Sequence, residues 1–496
     1  MRAIMIMFDT LSKRFLSNFG NEWIKTPNFQ RLQKKMITFD NFYGGSLPCI
    51  PARRELHTGM YNFPFRSWGP LEVFDQSAIE KLKNNGVYAH IVTDHSHYWE
   101  DGGATYLPRY SSWEGFRGQE GDRWVPRMEG EVNQNKNALN KKGVSVEQHM
   151  ANITRIHDEK DISSVQTINA GIDFLEKNHD KENWFLQIES FDPHEPFYVP
   201  DKYRQIYDCI KSEDIPYWPT YQKLVDDRFK DDIEDLKKEY AALITMCDRY
   251  LGKILDVLDQ NDMWKDTLVI VNTDHGFLLG EHNWIGKNIS PVYDELVHLP
   301  FFIHDPAHPE RDGSVCGQIA QTIDLPETLL DYFSIHDDTV RDGQSILKVL
   351  DEAAKSNEKN VKERDILFGV NGSFACVYDG KYVYMRASQN PDNEPLVNYT
   401  LAFTKMRGFY SPEDMKSLEL VKGNRFTQGM AVGKLSLRNH MDSYALGNYL
   451  FDIVKDPNQE HPLHDEAIEK IMVKKLTKLL KKIEAPKEEF IRLGLK

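Results

Sequence analysis

Four apolar runs along the chain have the length of buried strands, and each stops at a polar cluster. Ala3–Phe8 leads to Asp9, Val87–Val92 to Asp94-His95-Ser96-His97, Trp184–Ile188 to Asp192-Pro193-His194, and Leu268–Val271 to Asp274-His275-Gly276. Near-continuous runs of this kind fit strands covered on both faces, which is how parallel sheets are built. Between them lie amphipathic stretches such as Ile233–Leu258, with the three-to-four-residue recurrence of a helix. The pattern predicts an α/β fold, a mostly parallel sheet sandwiched by helices. Ligands of such sheets sit at the carboxyl edge of the strands, where all four clusters fall.

The pattern changes after Leu350. Asp351–Arg364 is acidic and lysine-rich and reads as a solvated surface helix or linker. Beyond it, ACVYDGKYVYMRA alternates apolar and polar residues around Asp379-Gly380, a hairpin signal. LFDIVKDPNQEHPL then precedes a lysine-rich amphipathic stretch at the C-terminus. The expected organisation is a main domain over 1–365, with a smaller C-terminal subdomain over 366–496, an antiparallel sheet plus helix, packed on it. A chain of 496 residues exceeds what one hydrophobic core usually holds, which agrees with that division.

Composition narrows the class. With 61 Lys and Arg against 76 Asp and Glu, the net charge of −15 argues against broad attraction to nucleic acid or an anionic membrane. An anionic substrate would need a local cationic pocket. The cysteines Cys49, Cys209, Cys247, Cys316 and Cys376 are scattered and form no CxxC pair, so neither a disulfide framework nor a zinc knot is expected. RAIMIMFD reads as a first strand rather than a signal peptide, and the simplest expectation is a cytoplasmic protein that does not enter a membrane.

The densest chemistry lies in CIPARRELHTG, residues 49–59. Pro51 suits the first turn of a helix, where its missing N–H costs nothing, so Cys49 falls near unpaired backbone donors that attract anions. Arg53, a turn along, can offer its fork to a sulfate, a phosphate or a charged nucleophile. The plainer alternative is a buried free thiol beside an ordinary arginine. Asp9, at the end of MIMF, is either a helix cap or one carboxylate of a cation site whose others come from Asp274 and His275. Oxygen ligands favour Ca²⁺ or Mg²⁺, and the imidazole admits Mn²⁺.

Taken together, Cys-x-Pro-x-Arg followed by Thr-Gly, Asp9, DPH at 192–194, TDHG at 273–276 and Lys287 in GEHNWIGKN resemble the type I, formylglycine-dependent sulfatases of the alkaline-phosphatase-like superfamily. The likeness runs from residue 1 to about 305, with an echo in LFDIVKDP. It implies that Cys49 is converted to formylglycine by a formylglycine-generating enzyme. It also implies one divalent cation, Ca²⁺ first, held by Asp9, Asp274, His275 and the residue at 49. Many relatives carry a second Asp where this chain has Thr10, leaving Thr10 either a hydroxyl ligand or none. By the same likeness Arg53, His97 and Lys287 hold the sulfate and His194 protonates the leaving oxygen. His95 stands where a lysine is common, and His57, in place of a usual leucine, reads as structural.

What the resemblance implies for chemistry is attack on sulfur by a hydroxyl of the hydrated aldehyde, followed by collapse to the aldehyde with loss of sulfate. Two other readings stay open: hydrolysis of a phosphonate monoester or phosphodiester, and non-catalytic binding of a sulfated ligand with Cys49 left as a thiol. A small sulfated saccharide or an aryl sulfate is the expected substrate. Tyr98, Trp99, Trp113, Phe116 and RGQEGDRW would suit a sugar ring, or else belong to the core.

Overall fold

The computed structural model describes all residues except 129–135, 210–214, 226, 357–363, 439–440 and 496. Its centre is an eight-stranded mixed sheet in the order Val315–Gln321, Ile37–Tyr43, Phe302–His304, Thr267–Asn272, Arg2–Phe8, Trp184–Ser190, Tyr88–Thr93, Ser112–Gly115. Neighbours run parallel except Phe302–His304, which is antiparallel to the strands on both sides. Arg2–Phe8 is wholly buried in the middle. Ile4, Ile6 and Phe8 face one helix layer, with Lys230–Gln260 and Ser163–Asn178; Ala3 and Met5 face the other, with Ala78–Asn84 and Leu325–Tyr332. That two-sided burial is why the strand carries no polar alternation.

Register aligns the strand ends. Phe8 pairs with Ser190, Met7 with Asn272 and Thr93 with Glu189, so the residues that follow emerge at one edge. The long predicted helix is Lys230–Gln260. Of Asp351–Arg364, the first residues finish the helix Ile346–Ser356, and 357–363 lie outside the described residues.

The hairpin turns at Asp379-Gly380, with Gly380 at φ 94° and the N–H groups of Lys381 and Tyr382 donating to Asp379 Oδ1. It belongs to a five-stranded sheet, Tyr449–Asp452, Tyr382–Arg386, Ala375–Tyr378, Ile366–Val370 and Ser46–Leu47, backed by the amphipathic helix Glu466–Lys482. Its last strand comes from the other end of the chain: Ser46 and Leu47 pair in parallel with Gly369 and Val370, one residue before Pro48 and Cys49. The C-terminal sheet therefore braces the entry to the cysteine helix. A further three-stranded sheet, Val397–Thr400, Val432–Ser436 and Glu419–Val421, had no counterpart in the sequence reading. No helix among the described residues is long and apolar enough to cross a membrane, and all five cysteines are free.

Candidate active site

Cys49 opens the helix Cys49–Thr58, with Pro51 in its first turn and Gly59, at φ 65°, closing it. The thiol is fully buried. Its Sγ lies 3.0 Å from His275 Nε2, 3.5 Å from Lys287 Nζ and 4.0 Å from Asp9 Oδ1. Burial, followed by the charge of Asp9, pushes this thiol well above its ordinary pKa, so as a plain cysteine it is a poor nucleophile.

Asp9, Cys49, Asp274 and His275 each offer one ligand atom, all within 4.8 Å of one another and all buried. His275 Nδ1 is 2.9 Å from the Gly276 carbonyl, which leaves Nε2 as the free lone pair facing the cluster. Two carboxylates and an imidazole so oriented fit a hard divalent cation. Gly276 is required because any Cβ would meet the Glu295 carbonyl at 1.9 Å. Thr10 sits at φ 64°, which is costly for a β-branched residue. Three bonds hold it there: its N–H donates to Asp274 Oδ1 at 3.0 Å, its carbonyl accepts from Tyr240 Oη at 2.6 Å, and its hydroxyl donates to Asp9 Oδ1 at 2.6 Å.

Arg53, expected to meet the sulfate, is bonded to the protein through every one of its nitrogens. Nε donates to Glu189 Oε1 at 2.9 Å, Nη1 to Asp274 Oδ2 at 2.7 Å and to the Cys49 carbonyl at 3.0 Å, and Nη2 to Asp9 Oδ2 at 2.8 Å. Its fork is spent on three buried carboxylates. Burial alone would raise the pKa of Asp9, but Arg53, then Lys287 and His275, draw it down to about 2.

A cleft of about 870 Å³ opens over this floor. Cys49, His97, His194 and Lys287 all line it. Lys287 contacts His194 Nε2, and the Nδ1 of that ring contacts the Glu195 carbonyl. Burial and then the lysine charge hold His194 well below the usual imidazole range, whereas Cys49, Glu195 and Asp9 outweigh burial and raise Lys287. Lys287 is therefore the charged member of the pair and the His194 ring is neutral. His97 Nδ1 lies 3.0 Å from Glu100 Oε2. His95 is fully buried with neither ring nitrogen hydrogen-bonded to any of the described residues, and Nε2 is 3.9 Å from Asp9 Oδ2. Burial, then Arg53, holds it neutral, so it brings no charge in place of a lysine. His57 packs between helices, its Nδ1 2.8 Å from Ser77 Oγ.

The sulfatase family model matches residues 2–335. The chain belongs to the sulfatase family. It is 26% identical over 410 residues to the multifunctional alkaline phosphatase superfamily protein PehA of Trinickia caryophylli, covering 72% of this chain and 78% of that one. It is 24% identical over 402 residues to an arylsulfatase of Clostridium perfringens, covering 74% and 80%. Among solved structures, the phosphonate monoester hydrolase of Agrobacterium radiobacter superposes with a TM-score of 0.65 at 17% identity, over 98% of this chain and 95% of that one, a likeness of fold.

Of the two readings of the aromatic residues, the sugar-facing one does not hold for Tyr98, Trp99, Trp113 and Phe116. Tyr98 is core, its hydroxyl 3.2 Å from Glu189 Oε2; Trp99 packs against Gly115; Trp113 is exposed on the edge strand; and neither these nor Phe116 line the sulfatase's cleft. Trp68, Trp218, Tyr221 and Tyr410 line it instead. Of RGQEGDRW, Gln119 ties Asp94 to Asp192 at 2.8 and 3.1 Å, and Glu120 reaches the cleft. Sequence reasoning also missed Glu189. Gln187 and Glu189, polar at alternate places in the buried strand Trp184–Ser190, were the available signal.

Proposed function

We propose that this sulfatase-family enzyme hydrolyses the sulfate ester of a small saccharide or an aryl sulfate, with formylglycine made from Cys49 as its nucleophile. The carrying observation is the floor of the cleft, where position 49 meets His275, Lys287 and Asp9 at 3.0 to 4.0 Å. Asp9, Asp274, His275 and the residue at 49 would hold one divalent cation, Ca²⁺ first with Mn²⁺ or Mg²⁺ as alternatives. Bound there, it would supply Lewis-acid stabilisation of an oxygen nucleophile. Thr10 acts through Asp9, to which its hydroxyl donates.

Lys287 and His97 take the sulfate oxygens, a compact ammonium and an imidazole set at the cleft wall. His194 faces the leaving oxygen and protonates it, its neutral ring relaying a proton from the Lys287 ammonium that contacts Nε2. Arg53 is a positioning residue, since its donors fix Asp9, Asp274 and the backbone at 49. Hydrolysis of a phosphonate monoester or phosphodiester is the second reading. Neutral His95 weighs for a singly charged ester over a dianionic phosphoryl group.

The deciding experiment is the mass of the peptide containing residue 49, from protein produced alongside a formylglycine-generating enzyme, paired with sulfate release from 4-nitrophenyl sulfate. An aldehyde or its hydrate with sulfate release is expected. An intact thiol in active protein would overturn the nucleophile, and faster turnover of phenyl phosphonate esters would favour the second reading.

A further inference from the structure

Beside the sulfate end, two carboxylates converge on the cleft without a settled partner. Glu195 is 2% exposed, and its Oε1 accepts from Tyr221 Oη. Among the described residues its Oε2 has no hydrogen-bond partner. The nearest nitrogens are His194 Nδ1 at 3.3 Å, on a neutral ring whose hydrogen already points at a carbonyl, and the Lys287 ammonium at 4.0 Å. An orphaned carboxylate oxygen at this depth is costly, so the site is built for a donor that arrives from outside. The second carboxylate is Glu120, at φ 47°, with Arg407 Nη2 3.9 Å from Oε2, beyond hydrogen-bond range. Neighbouring Gln119, bonded to both Asp94 and Asp192, holds that turn in place. Glu120, His194 and Glu195 present polar atoms within 4.8 Å of one another.

The donor is identified by what the site can satisfy. A metal ion would need the imidazole, yet His194 Nδ1 is engaged with the Glu195 carbonyl and Nε2 with Lys287. A single hydroxyl could serve one carboxylate but not both. A protonated amine, with three N–H donors and a positive charge, serves both at once. The aromatic wall of the same cleft tolerates a cation as well: Lys141 Nζ lies 4.8 Å over the ring of Trp218. One lysine ammonium separates Glu195 from the residue at 49, so the amine must sit only a few bonds from the sulfated oxygen.

We propose that Glu120 and Glu195 form an ammonium subsite, and that the substrate is a sulfate ester whose leaving group carries a protonated amine close to the ester oxygen. This rests on the sulfate-ester reading above and narrows it.

The test is a ligand-observed NMR titration with 2-aminoethyl sulfate and 2-hydroxyethyl sulfate at pH 7 of the full-length protein produced without a formylglycine-generating enzyme, so that Cys49 stays a thiol and binding is read without turnover. The amino ester should bind about tenfold more tightly, the size of one charge-assisted hydrogen bond. Glu120→Gln should shrink that advantage to about threefold or less, since one carboxylate of the two is gone. Glu195→Gln gives the same readout if the first variant unfolds. Equal affinities, no measurable binding of the amino ester, or an advantage that survives both substitutions would overturn the subsite. Sulfate release from 4-nitrophenyl sulfate, which has no amine, reports on the sulfatase reading independently.

Discussion

The floor of the cleft and its outer wall are built by opposite means. The floor is made of residues one to three places beyond the ends of central strands, each almost wholly buried and held by several bonds: Asp9, Asp274 and His275, with Arg53 beneath them. A shift of one residue in strand register would take a ligand out of the cluster. The wall comes from loops and edges of the late three-stranded sheet, such as Asn398, Lys405, Arg407 and Tyr410, many of them half-exposed. Arg407 reaches across to Glu100 at 2.6 Å and to His97 Nδ1 at 3.3 Å, and the backbone joins in, with Gly102 N–H donating to the Met406 carbonyl at 3.0 Å and Gly408 N–H to Asp101 Oδ2 at 2.7 Å. The buried cluster is held by the central sheet, while this part of the cleft wall is carried by the smaller C-terminal sheet and its loops.

The hardest way to break the floor is to remove its central cation. Arg53→Met leaves Asp9, Asp274 and Glu189 buried with no guanidinium, and should cost about 3–5 kcal/mol of stability by denaturant titration. Because a divalent cation would neutralise two of the three carboxylates, added Ca²⁺ should restore part of that loss. A variant as stable as the parent without added metal would show that the carboxylates are not charged, and the floor would need another explanation.

How far the sequence reveals each region follows from the same contrast. Asp9, His194, Asp274 and His275 stand out because a polar residue ends an apolar run, a signal that needs no tertiary knowledge. Glu189 hides inside such a run and betrays itself only by alternation with Gln187. Arg53 is legible as a cation beside Cys49, but not as one already claimed by three acids. The orientation of Tyr98 and Trp99 could not be read, because a short 3₁₀ turn has no long period to say which side is core. Val397–Thr400 and Glu419–Val421 are four and three residues long, too short for periodicity to mark. Phe302–His304, the single antiparallel insertion, fails for the same reason.

A smaller effect is expected at the latch joining the loops that carry the cleft histidines. Asp94 accepts from Gln119 and Ser163, and Asp192 from Gln119 and Ser164. Burial raises Asp94 to about 6, and burial plus the charge of Asp94 raises Asp192 to about 7, against an ordinary value of 3.8. Acids whose folded pKa is raised stabilise the fold fully below the unfolded value and lose that stabilisation as pH climbs through the folded one. Stability should therefore decline between about pH 4 and 7 on their account. Asp192→Asn, which cannot ionise, should flatten that slope by roughly 1–3 kcal/mol across the window. A melting-temperature profile as steep as the parent's would assign the slope to other groups.

The smallest change is expected where the wall alone is touched. Tyr410 lines the cleft and accepts a hydrogen bond from Asn398 Nδ2, itself part of the wall, and it makes no contact with the cation cluster. Tyr410→Ala removes binding surface equally from ground state and transition state, so KM should rise about three- to tenfold with kcat within about twofold. Cation affinity, read by titration into metal-free protein, should not move. If kcat fell as far as kcat/KM, the wall would be feeding into the chemical step through Arg407 and His97, and the division between a fixed floor and a free wall would fail at that link.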